Sequence, residues 1–169
     1  MFDPFESRRC RDIRNDIGTA FVKAIEDRNL QCFLEVAAEL AQSPVTHEMT
    51  DYISGRQNNL ETLLAETRHL SPEKDFYMIA ELLWKECLYF EAHEWMEGKW
   101  LAAGGDKKKA LQAIIFAATA LEQFQYKRTR IAKKLTQKAV ERLKDHSEFL
   151  SKLLDVKMIL HDLKQILDY

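Results

Sequence analysis

The chain has 169 residues, 46% hydrophobic and 31% charged, with a net charge of -2, which suits one soluble globular domain and excludes a disordered tail or a membrane protein. Five glycines and three prolines, the latter (Pro4, Pro44, Pro72) at apparent boundaries, predict long uninterrupted helices. Cys10, Cys32 and Cys87 are far apart and in no C-x-x-C spacing, and neither a signal peptide nor a run of about 20 apolar residues occurs, so the expectation is a reduced, cytoplasmic protein.

Apolar residues recur at helical spacing almost throughout, without a convincing strand-type alternation. Ile13, Ile17, Phe21 and Ala24 mark a first helix. Leu30, Phe33, Leu34, Ala37 and Leu40 mark a second that stops before Pro44, and Met49, Tyr52, Ile53, Leu60, Leu63 and Leu64 a third. Ser71-Pro72 opens a segment that bends near Cys87 and continues to Ala103, where Gly104-Gly105 ends it. Asp106 is the expected cap of a helix to about Tyr126, another spans Arg130 to Lys144, and Asp145-His146-Ser147-Glu148 has capping-box spacing before the last helix. The prediction is an all-α bundle of about seven helices. Residues 1–70 form an N-terminal helical extension, 71–145 a helical core, and 146–169 a C-terminal amphipathic helix, all in one compact unit.

The last helix carries Phe149, Leu153, Val156, Leu160, Leu163 and Leu167 in a stripe. Such a stripe needs a partner, either another face of the same bundle or a second copy of the chain as a homodimer. Residues 1–70 offer no motif.

The segment from Tyr89 to Leu101 stands apart. At about 100° per residue, Leu88, Ala92, Trp95, Met96, Ala102 and Ala103 share an apolar sector, and Glu91, Glu94 and Gly98 fall opposite. His93 and Glu97 lie between, four residues apart, so their side chains meet on one face flanked by Trp100 on one side and by Phe90 and Leu101 on the other. An imidazole and a carboxylate wedged between aromatics form a candidate site. The next helix is apolar on nearly every side except for Gln112, Thr119 and Gln123, and Gln112 is a natural hydrogen-bond partner for the His93 and Glu97 pair. Two readings stay open: a pocket lined by His93, Glu97, Trp100 and Gln112 with Glu94 at its mouth, taking a small molecule or a divalent metal, or a polar network that only fixes packing in a structural or regulatory interaction protein.

The string Phe90-Glu91-Ala92-His93-Glu94-x-x-Glu97-x-x-Trp100, followed by Leu111-Gln112-Ala113-Ile114-Ile115 and the small-residue run Ala117-Ala118-Thr119-Ala120, resembles the small prokaryotic domain-of-unknown-function family numbered 309, over roughly Leu88 to Leu143. That resemblance implies a compact helical bundle with His93, Glu94, Glu97, Trp100 and Gln112 at the signature positions, and it brings no established activity. Where members tend to have a glycine after the glutamine this chain has Ala113, and Phe116 and Glu122 stand where a second glutamine and a histidine are frequent.

His93-Glu94-x-x-Glu97 is one residue away from the zinc-protease pattern H-E-x-x-H, and His93 with Glu97 supplies two metal ligands; a third would come from His69, Glu66, Glu122, His146 or His161. A di-iron bundle would need two E-x-x-H pairs, and only Glu66 to His69 has that spacing. Without metal, His93 would carry a proton, with Glu97 orienting it and Gln112 holding a carbonyl or amide. No nucleophile is evident, and Cys87 reads as a small buried packing residue.

Charge is segregated: Glu61 to Glu97 holds nine acids and three bases, Gly98 to Lys144 twelve bases and three acids. The basic helix, with Lys127, Arg128, Arg130, Lys133, Lys134, Lys138, Arg142 and Lys144, lacks aromatics to stack on bases, and the pI of 6.2 is low for a nucleic-acid binder. The sequence therefore favours a solvated face with salt links to the acidic segment over nucleic-acid binding.

Overall fold

The computed structural model describes residues 1–169 and is all-α: nine helices and no strand. It divides into two compact units, residues 1–76 and 77–169.

The first unit holds α1 (Arg8–Asp27), α2 (Gln31–Ala41) and α3 (His47–Glu66), with α1 against α2 and α3, and α2 against α3. Ser7 starts α1 by accepting from the Cys10 amide at 3.3 Å, and Thr46 does the same for α3 from Met49 at 3.4 Å, each satisfying an amide that the first turn leaves without a partner. The predicted stripe of α1 is fully inside, with Phe21 edge-on to Phe33 of α2. Arg28 turns the chain after α1 with a left-handed φ of 54°; its amide donates to the Ile25 carbonyl at 3.3 Å and the Asn29 amide to the Ala24 carbonyl at 3.0 Å, which closes the helix end. The Arg28 guanidinium donates to the Thr67 hydroxyl at 2.7 Å and to the Leu70 carbonyl, which ties the end of α1 to the end of α3.

The second unit holds α5 (Tyr89–Ala102), α6 (Gly105–Gln125), α7 (Thr129–Asp145), the single turn α8 (Ser147–Leu150) and α9 (Val156–Asp168), preceded by α4 (Phe76–Lys85), whose first residue falls in the other unit. Helix α6 is the centre, with α5, α7, α8 and α9 against it. Its composition explains why: Ala110, Ala113, Ala117, Ala118 and Ala120 are buried together with Leu111, Ile114, Ile115 and Leu121, so it shows apolar surface in several directions and its small residues let neighbouring helices come close.

Several boundaries differ from expectation. Ser71 and Asp75 form a closed turn, the Ser71 amide donating to the Asp75 carboxylate at 2.7 Å, and the helix begins only at Phe76. The bend expected near Cys87 is a full break: Cys87 takes a φ of 56° and α5 starts anew at Tyr89. Gly104, not Asp106, is the N-cap of α6, and Asp106 sits in its first turn, paired with Lys109 at 3.0 Å. The expected single helix over 146–169 is interrupted. Asp155 re-initiates it by accepting from the amides of Lys157 and Met158, and its own amide donates to Glu81 of α4 at 2.6 Å. Of the expected stripe, Val156 and Leu163 are buried, Leu153 and Leu160 are half-buried and Phe149 and Leu167 are exposed; Ile159 and Ile166 complete the buried face of α9, which packs on α6 and α7. The Trp84 indole of α4 donates to Asp162 of α9 at 2.7 Å.

No helix is long and apolar enough to cross a membrane, and all three cysteines are free thiols.

Truncating the centre should cost most. Leu111→Ala is expected to lower stability by about 2 to 5 kcal/mol through lost transfer energy and a residual cavity. Leu101→Ala, at a side chain 66% exposed, should change it by no more than about 0.5 kcal/mol. Urea unfolding of the two variants beside the wild type measures the difference.

Candidate functional site

Helix α5 carries the candidate site. Its inner sector, Leu88, Ala92, Trp95 and Met96, is buried as expected against the bundle, whereas Ala102, at the last turn, is exposed. Placing that sector inward leaves the neighbouring positions half-buried, and there His93, Glu94 and Glu97 come together: one donor atom from each lies within 4.8 Å of the other two. His93 Nδ1 is 3.4 Å from Glu94 Oε1, with the two side chains 23% and 27% exposed. The Phe90 ring lies 6.1 Å from the imidazole, centroid to centroid. Glu94 is thus a member of the cluster rather than a residue on the opposite side of the helix, because its flexible side chain folds back toward the imidazole.

Trp100 stands one turn beyond Glu97. Lys108 of α6 lies over its ring, 4.5 Å from the centroid, and its indole nitrogen is buried without a hydrogen-bond partner. Leu101, expected as a flank, is solvent-exposed.

Gln112 has a different partner from the expected one. Its side-chain oxygen accepts from the Arg142 guanidinium of α7, which also lies over the Phe116 ring at 4.8 Å. Gln123 behaves alike, accepting from Arg128 Nε at 2.9 Å, and Thr119 bonds back to the Ile115 carbonyl of its own helix at 2.8 Å. The polar sector of α6 is therefore satisfied by arginines around α7 and by its own backbone, not by His93 and Glu97 of α5.

Two further features of α5 escaped sequence reasoning. Glu91, assigned to the polar side, is wholly buried; its spacing of three from Leu88 and four from Trp95 already places it on the inner stripe. Cys87, expected to be buried, is exposed at the helix break, where it accepts from the Tyr89 hydroxyl at 3.6 Å and where its carbonyl accepts from Gln125 at 2.9 Å.

Three donors of the imidazole and carboxylate type on one helix face could hold a divalent ion. Two atoms bound to one ion at about 2.1 Å can be no more than about 4.2 Å apart, so the widest separation here must close by well under an ångström, within the reach of side-chain rotation.

Residues 79–135 match the model of a family described as domain of unknown function (DUF309). The match covers about a third of the chain and spans α5 and α6 whole, so the resemblance read from the motif is to this family. No curated protein and no solved structure matches the chain. The family brings a fold segment and no chemistry, which leaves the function to the geometry of α5.

Burial, then the contact with Cys87, pushes the Tyr89 phenol above its ordinary value of 10.0. A raised acid holds its proton longer in the folded than in the unfolded chain, so the fold loses stability as pH climbs above about 10, where the unfolded phenol ionises first. Stability measured from pH 9 upward should therefore fall more steeply for the wild type than for Tyr89→Phe.

Proposed function

We propose that the second unit is a divalent-metal-binding module, with His93, Glu94 and Glu97 as the protein ligands and Trp100 as the wall beside them. The observation that supports this reading is the convergence of their three donor atoms within 4.8 Å on the half-buried face of α5. One imidazole with two carboxylates is a borderline donor set, which favours zinc, manganese or iron over magnesium and calcium, the latter preferring all-oxygen cages. Three protein ligands leave at least one coordination position for water or a small oxygen-bearing ligand, as an open rather than a structural site does. Gln112 is held by Arg142 and sits outside this donor set.

The second reading, a polar cluster that only fixes packing in a structural or regulatory protein, is supported by that same Gln112 contact, which links α6 to α7.

Elemental analysis and thermal melting with zinc, manganese and magnesium separate the two. Stoichiometric metal is expected, with a stabilisation of about 2.7 kcal/mol at a hundredfold excess over Kd. His93→Ala and Glu97→Gln should abolish it, and Cys87→Ala should leave it intact. Binding should also weaken on acidification, because the donors must be deprotonated to coordinate. No metal effect, with His93→Ala and Glu97→Gln both strongly destabilised, would overturn the proposal in favour of the packing role.

A further inference from the structure

The cations of α7 are not salt-linked to an acidic segment as the sequence suggested. Lys127, just before the helix, and Arg130, Lys133, Lys134, Lys138 and Lys144 within it make no ion pair in the structure, and all but the half-buried Lys133 are exposed. The helix buries Ala132, Thr136, Ala139 and Leu143, so Arg130, Lys134 and Lys138 fall on the opposite, outward side, successive members of the row being about 6 Å apart along the axis.

This arrangement opposes the stability of α7 itself. Cations near a helix N-terminus face the positive end of the helix dipole, and here the first turn contains no acid and the N-cap, Arg128, makes no side-chain capping bond. Arg130 with Lys134, and Lys134 with Lys138, are like-charge neighbours at i,i+4, which destabilise as much as opposite charges stabilise. Glu141 and Asp145, which would be favourable at the start, stand at the far end. Arg142 and Lys144 suit the C-terminal end of the helix, but the like-charge row Arg130, Lys134, Lys138 breaks the local rule at three positions and marks a surface shaped by something outside the molecule.

We infer that the outward face of α7 binds the phosphodiester backbone of duplex nucleic acid, without reading sequence. The cation spacing is comparable with that of successive phosphates, and a row of Lys and Arg is what backbone neutralisation requires. The face carries no aromatic side chain, which removes base stacking and with it a single-stranded ligand. A bilayer does not fit, because the apolar side of α7 is already buried and nothing remains to enter the lipid. A protein partner would need an aromatic or Met-rich centre, and Ile131 is the one large exposed apolar side chain here.

The test is fluorescence anisotropy of labelled DNA and RNA duplexes of about 20 base pairs, too short for many copies to crowd, titrated with the full chain. Three phosphate contacts predict a slope of log K against log salt of roughly -2.7, or about fortyfold weaker binding between about 50 and 200 mM salt. The triple variant Arg130→Glu, Lys134→Glu, Lys138→Glu should lose binding while melting no lower than the wild type, since it places acids near the N-terminal end of α7. The alanine triple at the same positions should fold equally well and flatten the slope by roughly 2.7. Lys85→Glu, Lys157→Glu, Lys164→Glu, with the same change in net charge at other exposed positions, should bind like the wild type. The preferred duplex type identifies the natural class. Absence of duplex binding at low salt, equal losses in the two glutamate triples, or retention on anionic phospholipid vesicles in place of duplex would overturn the inference.

Discussion

Helix α6 cannot be left in water on any side, and the second unit is organised by that constraint. Residues 110 to 121 bury nine apolar side chains with hardly an exposed position among them, and each large aliphatic member moved out of water is worth about 1.5 to 3 kcal/mol. One neighbouring helix covers a single stripe, so α5, α7 and α9 are all required around it. The alanines among these residues keep the axes close, at the cost that few bulky groups fill the space between layers. Contacts at the periphery then fix what the alanines leave loose: Trp84 on Asp162, and Glu81 on the backbone of Asp155.

The polar interruptions of α6 show how such a helix remains specific. A buried amide without a partner costs about 1 to 3 kcal/mol, so Gln112 and Gln123 admit only a register of α6 that reaches Arg142 and Arg128. Arg142 also lies on the Phe116 ring and thereby holds α7 to α6 by a planar stack as well as by a charge-assisted hydrogen bond. Because these arginines come from the α7 side, the α5 side of the bundle keeps its own polar residues uncommitted to α6 amides. That division of labour is what leaves His93, Glu94 and Glu97 gathered on one face of α5.

Much of this was legible in the chain. The stripes Ile13, Ile17, Phe21, Ala24 and Leu88, Ala92, Trp95, Met96 are buried as their spacing requires, because helical periodicity is a one-dimensional property. His93 with Glu97 was legible for the same reason, four residues being one turn. What periodicity does not carry is direction between helices and side-chain reach. Gln112 was matched to α5 because nothing along the chain distinguishes the α5-facing from the α7-facing side of an all-apolar helix. Glu94 was placed by its Cα, although a three-bond side chain brings its carboxylate to the imidazole of His93. Glu91, expected opposite the apolar sector, is buried because it lies three residues from Leu88 and four from Trp95. Cys87 and Asp155 mark breaks that depend on a left-handed residue and on a capping bond, neither of which an apolar count detects.

The two polar faces of the second unit differ in a physically informative way. On α5 the half-buried polar groups are few, of mixed type and convergent, with His93 Nδ1 3.4 Å from Glu94 Oε1 and one donor atom of each of the three within 4.8 Å of the others. On α7 the exposed cations Arg130, Lys134 and Lys138 are of one sign and spread along the axis. Helix α7 tolerates this because its stability comes from Ala132, Ala139 and Leu143 against the rest of the unit, not from its own propensity or charge order. A helix held by tertiary packing can carry an outward charge pattern that an isolated helix would reject, and the burial of α6 is therefore what makes both faces available at once.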